Sequence, residues 1–170
     1  ENFKMAFDTY TPLFSEILTK VAKLKTKKDK IEYLQKYNTD ALRMVIKSSF
    51  DPKIEWALPE GDVPYTPNEA PEGTEHTVLS QEARTLFNFI KGGNGQLTQN
   101  KRETMFVQML EGLHADEAKL IVAAKDKKLH QVYKGLSANV VKEAFNWTDE
   151  FMVDDGEKVV YPQTPGSASG

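Results

Sequence analysis

The chain has 170 residues, 39% of them hydrophobic and 28% charged, and it contains no cysteine. That length and balance suit one globular domain with a core of its own, or a domain and a tail, and they exclude disulfides and thiolate metal centres. The net charge of −3 speaks against a polyanionic partner only until it is divided along the chain.

Residues 1–50 carry 10 basic against 6 acidic side chains, and residues 83–145 repeat that ratio. Between them, residues 51–82 hold 1 against 8, and residues 146–170 hold 1 against 5. The acid falls in the two stretches with the weakest helical pattern, so the helical parts are locally basic, and local field governs capture of a polyanion. No apolar run is long enough to cross a bilayer, and the N-terminus lacks the apolar core of a signal peptide, so the expected location is cytoplasmic with no membrane partner.

In chain order, residues 1–10 show no period and are read as an N-terminal arm. Thr11-Pro12 is a helix start, a hydroxyl followed by proline at the first helical position. Leu13, Ile17, Val21 and Leu24 follow at helical spacing. Thr26 with Asp29 opens a second helix whose inner face is Ile31, Leu34 and Tyr37. Thr39-Asp40 opens a third, burying Leu42, Val45, Ile46 and Phe50 and stopped by Asp51-Pro52. From residue 51 to 79, Pro52, Pro59, Pro64, Pro67 and Pro71 forbid a long helix. Ile54, Trp56, Leu58, Val63 and Tyr65 are nevertheless too apolar for an idle linker. The first half of this segment is expected to lie extended across the helices, anchored by Trp56 and Tyr65.

Ser80 begins a fourth helix with Ala83, Leu86, Phe87 and Ile90 inward, ended by Gly92-Gly93. Thr98 caps a fifth, with Met105, Phe106, Met109, Leu110 and Leu113 apolar. A sixth runs from about Asp116 to Asp126 and a seventh from Ser137 to about Phe145. Beyond it, Phe151-Met152-Val153 and Lys158-Val159-Val160-Tyr161 flank Asp154-Asp155-Gly156-Glu157, a hairpin signal. The expected fold is all-α: a single compact domain of about seven helices at 11–147, with the proline-rich acidic segment 51–79 inside it. An acidic hairpin and flexible tail occupy 148–170.

Catalytic motifs are missing. The histidines at 76, 114 and 130 share no ligand spacing, so no metal or other cofactor is expected. There is no P-loop, no Gly-x-Ser-x-Gly and no cysteine nucleophile. The Gly92–Gly95 loop resembles a phosphate cradle in composition alone, because it follows a helix rather than a strand. Carboxylate pairs such as Asp116/Glu117 read as exposed caps rather than acids and bases. The expectation is a binding protein, not an enzyme.

Two constellations remain. Lys20, Lys23, Lys25, Lys27, Lys28 and Lys30 straddle the turn between the first two helices, where several could follow one phosphate track; a solvated face is the competing reading. Lys101-Arg102 stands in the first turn of the fifth helix, against the helix dipole, which suits a recruited anion, although exposed charge there is often just tolerated. The second constellation runs from Lys125, Lys127 and Lys128 to Lys134, Gly135, Ser137 and Asn139. Here a basic helix end leads into a glycine and a serine cap, whose free amides would seat a phosphate; a capped helix with solubilising lysines is the alternative. Contacts of this kind position a duplex without reading its sequence.

The stretch Lys27-Lys28-Asp29-Lys30-Ile31-Glu32-Tyr33-Leu34, then Ala41-Leu42-Arg43-Met44-Val45, resembles the helical N-terminal DNA-binding domain of ATP-dependent DNA ligases of the T-even phage type. The most specific part is Lys125-Asp126 followed by Gly135-Leu136-Ser137-Ala138-Asn139-Val140-Val141-Lys142-Glu143-Ala144-Phe145. The chain is also similar to uncharacterised tailed-phage proteins sharing Ala123-Ala124-Lys125-Asp126-Lys127-Lys128-Leu129. It departs from ligases in lacking the adenylated lysine: Val153 stands where Lys would precede Asp155-Gly156, and on this reading no nucleotidyltransferase domain is expected to follow. The resemblance implies a detached, non-catalytic DNA-holding module facing the minor-groove side. A protein-interaction module, docking on a replication, transcription or virion component through 51–79 or 149–161, is the rival expectation.

Overall fold

A computed structural model describes residues 11–71 and 75–153. Among them are eight α-helices: α1 Phe14–Lys23, α2 Lys27–Lys36, α3 Asp40–Phe50, α4 Leu79–Glu82, α5 Gln99–Gly112, α6 Ala115–Lys125, α7 Leu129–Val132 and α8 Ala138–Phe145. Helix α4 runs directly into a 3-10 segment, Ala83–Phe89. No strand occurs among the described residues; Trp56–Ile90 and Trp147–Val153 are isolated bridges. The protein is all-α, as its periodicity implies.

Four helix starts follow the local chemistry. Thr26, Thr39, Thr98 and Ser137 each accept a hydrogen bond from the amide three residues on, at 3.1, 3.2, 3.2 and 3.3 Å, which satisfies one of the otherwise orphaned N–H groups. Helix α1 differs. It starts at Phe14, not at Pro12, and its amides are served from afar: Ser15 N–H donates to the Glu117 carboxylate of α6 at 2.6 Å. A buried carboxylate seats α1 on α6 and so takes over the role expected of Thr11.

Glu117 is buried, and desolvation raises its pKa above the ordinary 4.5 despite the opposing hydrogen bonds from Ser15 and Phe14. A native carboxyl with a raised pKa favours folding most when protonated. Its contribution is therefore full below the unfolded value and declines as pH rises through the native one. Relative to Glu117→Gln, the wild type is expected to lose stability on going from pH 4.5 towards neutrality. Urea midpoints of the two proteins across that range check it, and a wild-type midpoint that rises relative to that of the variant as pH increases refutes it.

The fourth helix departs from its expected form. After one α-turn the chain tightens to three residues per turn, which stacks Ala83, Leu86 and Phe89 on one buried face. The same change of period turns Phe87 outward, to 50% exposure, where a continuous α-helix would have buried it. Helix α7, Leu129–Val132, is the additional one, making eight among the described residues where the apolar pattern suggested about seven.

The core is one contiguous cluster drawn from every helix, with Phe106, Leu110, Leu120 and Ile121 among its fully enclosed members. Helix α2 packs along α8, α3 lies on α6, and α1 bridges α2 and α6. The proline-rich segment lies against this framework in its first half. Trp56 is buried, its edge against Phe106, and its indole N–H donates to Ser48 O at 3.0 Å. Backbone bonds from Ala57 N to Phe89 O (2.7 Å) and Lys91 N to Glu55 O (2.8 Å) tie it to the end of the 3-10 segment. Tyr65 is partly buried against the core.

At the C-terminal end the chain turns back at Thr148–Phe151, where Thr148 N–H donates to Met152 O at 2.7 Å. The expected hairpin around Asp154–Glu157, the N-terminal arm and the tail lie outside the described residues. No described helix is long and apolar enough to cross a membrane.

Candidate nucleic-acid interface

The packing of α2 along α8 brings two of the basic segments together. Lys30 Nζ donates to Leu24 O at 2.5 Å, folding its stem over the α1–α2 turn. In that position the ammonium is so near Gly135 that an added Cβ there would stand 2.8 Å from Nζ. Lys27, at the first position of α2, pairs with Glu143 of α8, both about half exposed. The turn bearing Lys25, Lys27, Lys28 and Lys30 thus adjoins the loop bearing Lys134, Gly135, Ser137 and Asn139. All of these except Lys30 are exposed. Ser137 caps the amide of Val140, while the amides of Ala138 and Asn139 have no protein acceptor among the described residues. The Lys30 ammonium and the loop that leads into the open amides of a helix start are therefore neighbours.

Gly135 has φ of +97°, a backbone region that other residues enter only under strain. Gly135→Ala is expected to cost about 1–3 kcal/mol, nearly all of it from the backbone, because the Lys30 ammonium is the far end of a flexible side chain and can move aside. Chemical denaturation measures it; a neutral result shows that the loop relaxes freely.

The other basic residues do not join this face. Arg102 is occupied by the loop that precedes its helix: its guanidinium donates to Asn88 O at 2.9 Å and Asn94 O at 3.0 Å, and to the Gln99 side chain at 2.7 Å. Those carbonyls account for a cation in the first turn of α5 without any recruited anion. Lys101 is exposed beside it, on a helix that packs against α6 and the 3-10 segment.

Lys125 is buried, 4% exposed, with its ammonium donating to Pro59 O at 2.6 Å, Gly61 O at 3.1 Å and the Asp126 carboxylate at 2.6 Å. All three N–H bonds are used, and a phosphate cannot reach them. Lys127 has φ of +61°, which turns it back onto the C-terminal end of α3. Its ammonium donates to Ser48 O at 3.0 Å and Asp51 O at 2.8 Å, and burial lowers its pKa. It is a C-cap supplied from another element. Lys128 is exposed and lies 3.9 Å from Glu60. Of the run Lys125-Asp126-Lys127-Lys128, only Lys128 faces solvent. Lys25 and Lys30 stand at the turn beside Gly135 instead, and their spacing around that turn was the signal for them, whereas Lys23 lines a hollow with Lys20 and Asp116 on the α6 side of α1.

The tryptophans serve packing rather than an exposed patch, and Trp56 anchors the proline-rich segment as its apolar neighbours imply. Trp56 is in the core and Trp147 is half-buried between Phe145 and Phe151; Tyr161 lies outside the described residues. Among the described residues no group of three or more His, Asp or Glu could hold a metal ion.

Residues 17–131 match the model of a family of unknown function, DUF6433, and the chain belongs to that family. No curated protein and no solved structure matches it. The match covers α1 from Ile17, all of α2 and the run Lys125–Lys128, and it stops short of Lys134 and α8.

Proposed function

We propose that the protein binds duplex DNA through its phosphate backbone, without reading base sequence, as a phage-type accessory with no catalysis of its own. The observation that carries this reading is the approach of Lys30 to Gly135. It sets the α1–α2 lysines beside the amide-rich start of α8. Phosphates are held in this way, by ammonium groups and by backbone amides at a helix start. The similarity of Gly135–Phe145 to the last helix of the ligase DNA-binding domain supports the minor-groove side as the surface approached. The contact set is Lys25, Lys27, Lys28, Lys30 and Lys134 with the amides after Ser137. Lys101, Arg102, Lys125, Lys127 and Lys128 are outside it.

Fluorescence anisotropy of labelled intact and nicked duplexes, titrated across a salt series, tests the proposal. With ~5 phosphates neutralised, log affinity is expected to fall against log salt with a slope near −4 to −5. Absence of binding to either duplex at low salt sinks it. A clear preference for the nicked form would extend the ligase likeness to the kind of DNA held.

A further inference from the structure

Four large apolar side chains stand exposed among the described residues: Met44, Phe87, Val132 and Val153. Met44 and Phe87 meet in one groove of about 340 Å³ between α3 and the 3-10 segment, with Ile54, Leu86 and Ile90 also in its lining. Gly92 and Gly93 line it as well, and an added Cβ on Gly93 would stand 2.0 Å from Phe87 O. Only glycine allows that close approach.

The two charged residues that line this groove are both basic. Its lining includes Lys47 and Lys91 and no carboxylate, in a protein whose net charge is −3. Arg84 is exposed one 3-10 turn before Phe87, hence on the same face. Lys91 is shared with Glu55 at 3.2 Å, but both side chains are about two-thirds exposed (64% and 66%), so that pair holds the ammonium only loosely. A sugar–phosphate backbone offers nothing apolar to fill a floor of Met, Ile, Leu and Phe. A peptide does.

We propose that this groove docks an acidic segment of a partner protein, which inserts a large apolar side chain between Met44 and Phe87 while its carboxylates face Lys47, Lys91 and Arg84. Exposed apolar anchors rimmed by charge are the usual form of such sites. The groove shares no residue with the DNA face, so the protein can hold a partner while bound to DNA, and either inference can fail without the other.

The test is anisotropy of a labelled peptide, Asp-Asp-Leu-Phe-Asp-Glu, against the full chain. Binding is expected, weakened about tenfold or more by Phe87→Ser, by Met44→Ser and by Lys91→Glu, and unchanged by Lys28→Glu. Phe87 and Met44 are half-exposed, and matched urea midpoints verify that their variants fold. A peptide with Asn and Gln in place of the acids is expected to bind more weakly. Three results overturn the proposal: no binding of the acidic peptide; binding that follows Lys28 rather than Phe87; or self-association in sedimentation that Phe87→Ser abolishes, which gives the groove to a second copy of the chain.

Discussion

Replacement of Lys125 by methionine is expected to destabilise the fold by about 3–5 kcal/mol, the cost of removing one partner from a buried ion pair. Methionine conserves most of the volume, so the loss is electrostatic. The Asp126 carboxylate, with a side chain only 10% exposed, is left without its counter-charge. The carbonyls of Pro59 and Gly61 lose their donor at the same time. Asp126 also accepts Gly61 N–H at 3.1 Å, so the two residues clamp the proline-rich segment onto α6 from both sides. Urea unfolding of Lys125→Met, Asp126→Asn and the double variant measures the coupling. The double variant is expected to be less destabilised than the sum of the singles, because removing both charges leaves none buried alone. A loss under about 1 kcal/mol for Lys125→Met would show the clamp to be energetically neutral, since some buried pairs only break even against apolar replacements.

That clamp also marks what the sequence could and could not disclose. The threonine and serine caps were legible because the bond runs three residues along the chain, within reach of a local pattern. The core faces of α3 and α5 were legible for the same reason: Leu42, Val45 and Ile46, and Phe106, Met109 and Leu110, recur at helical spacing and are buried. Lys125 and Lys127 carried no such mark. A run of Lys-Asp-Lys-Lys looks solvated, and what buries two of its members lies over sixty residues away, at Pro59, Gly61, Ser48 and Asp51. The positive φ at Lys127, which aims it there, has no signature in a lysine. Arg102 misled in the same way, since its acceptors are carbonyls of the 3-10 segment and the following loop, set by the fold. Phe87 was misplaced by period alone, because α and 3-10 spacings diverge only after a full turn. The lysines of the α1–α2 turn are exposed because an interhelical corner carries them.

Reversing charge on both sides of the basic face, with Lys28→Glu and Lys134→Glu together, is expected to lower affinity for duplex DNA about a hundredfold at low salt and to flatten the salt slope by about two. Each residue supplies one exposed ammonium, and neither is part of the core. The fold should therefore be untouched, which a urea midpoint matching the wild type confirms. The informative control is the pair Lys101→Glu and Lys128→Glu. It makes the same change in net charge at exposed lysines on α5 and just after α6, away from the α1–α2 turn. If binding arose from diffuse attraction to any lysine, the two pairs would weaken it alike, because a long-range field depends on total charge and less on position. If it arises from the face where Lys30 meets Gly135, the control should lose no more than a few-fold. Equal losses in the two double variants would remove the basis for a defined site, however tightly the wild type binds.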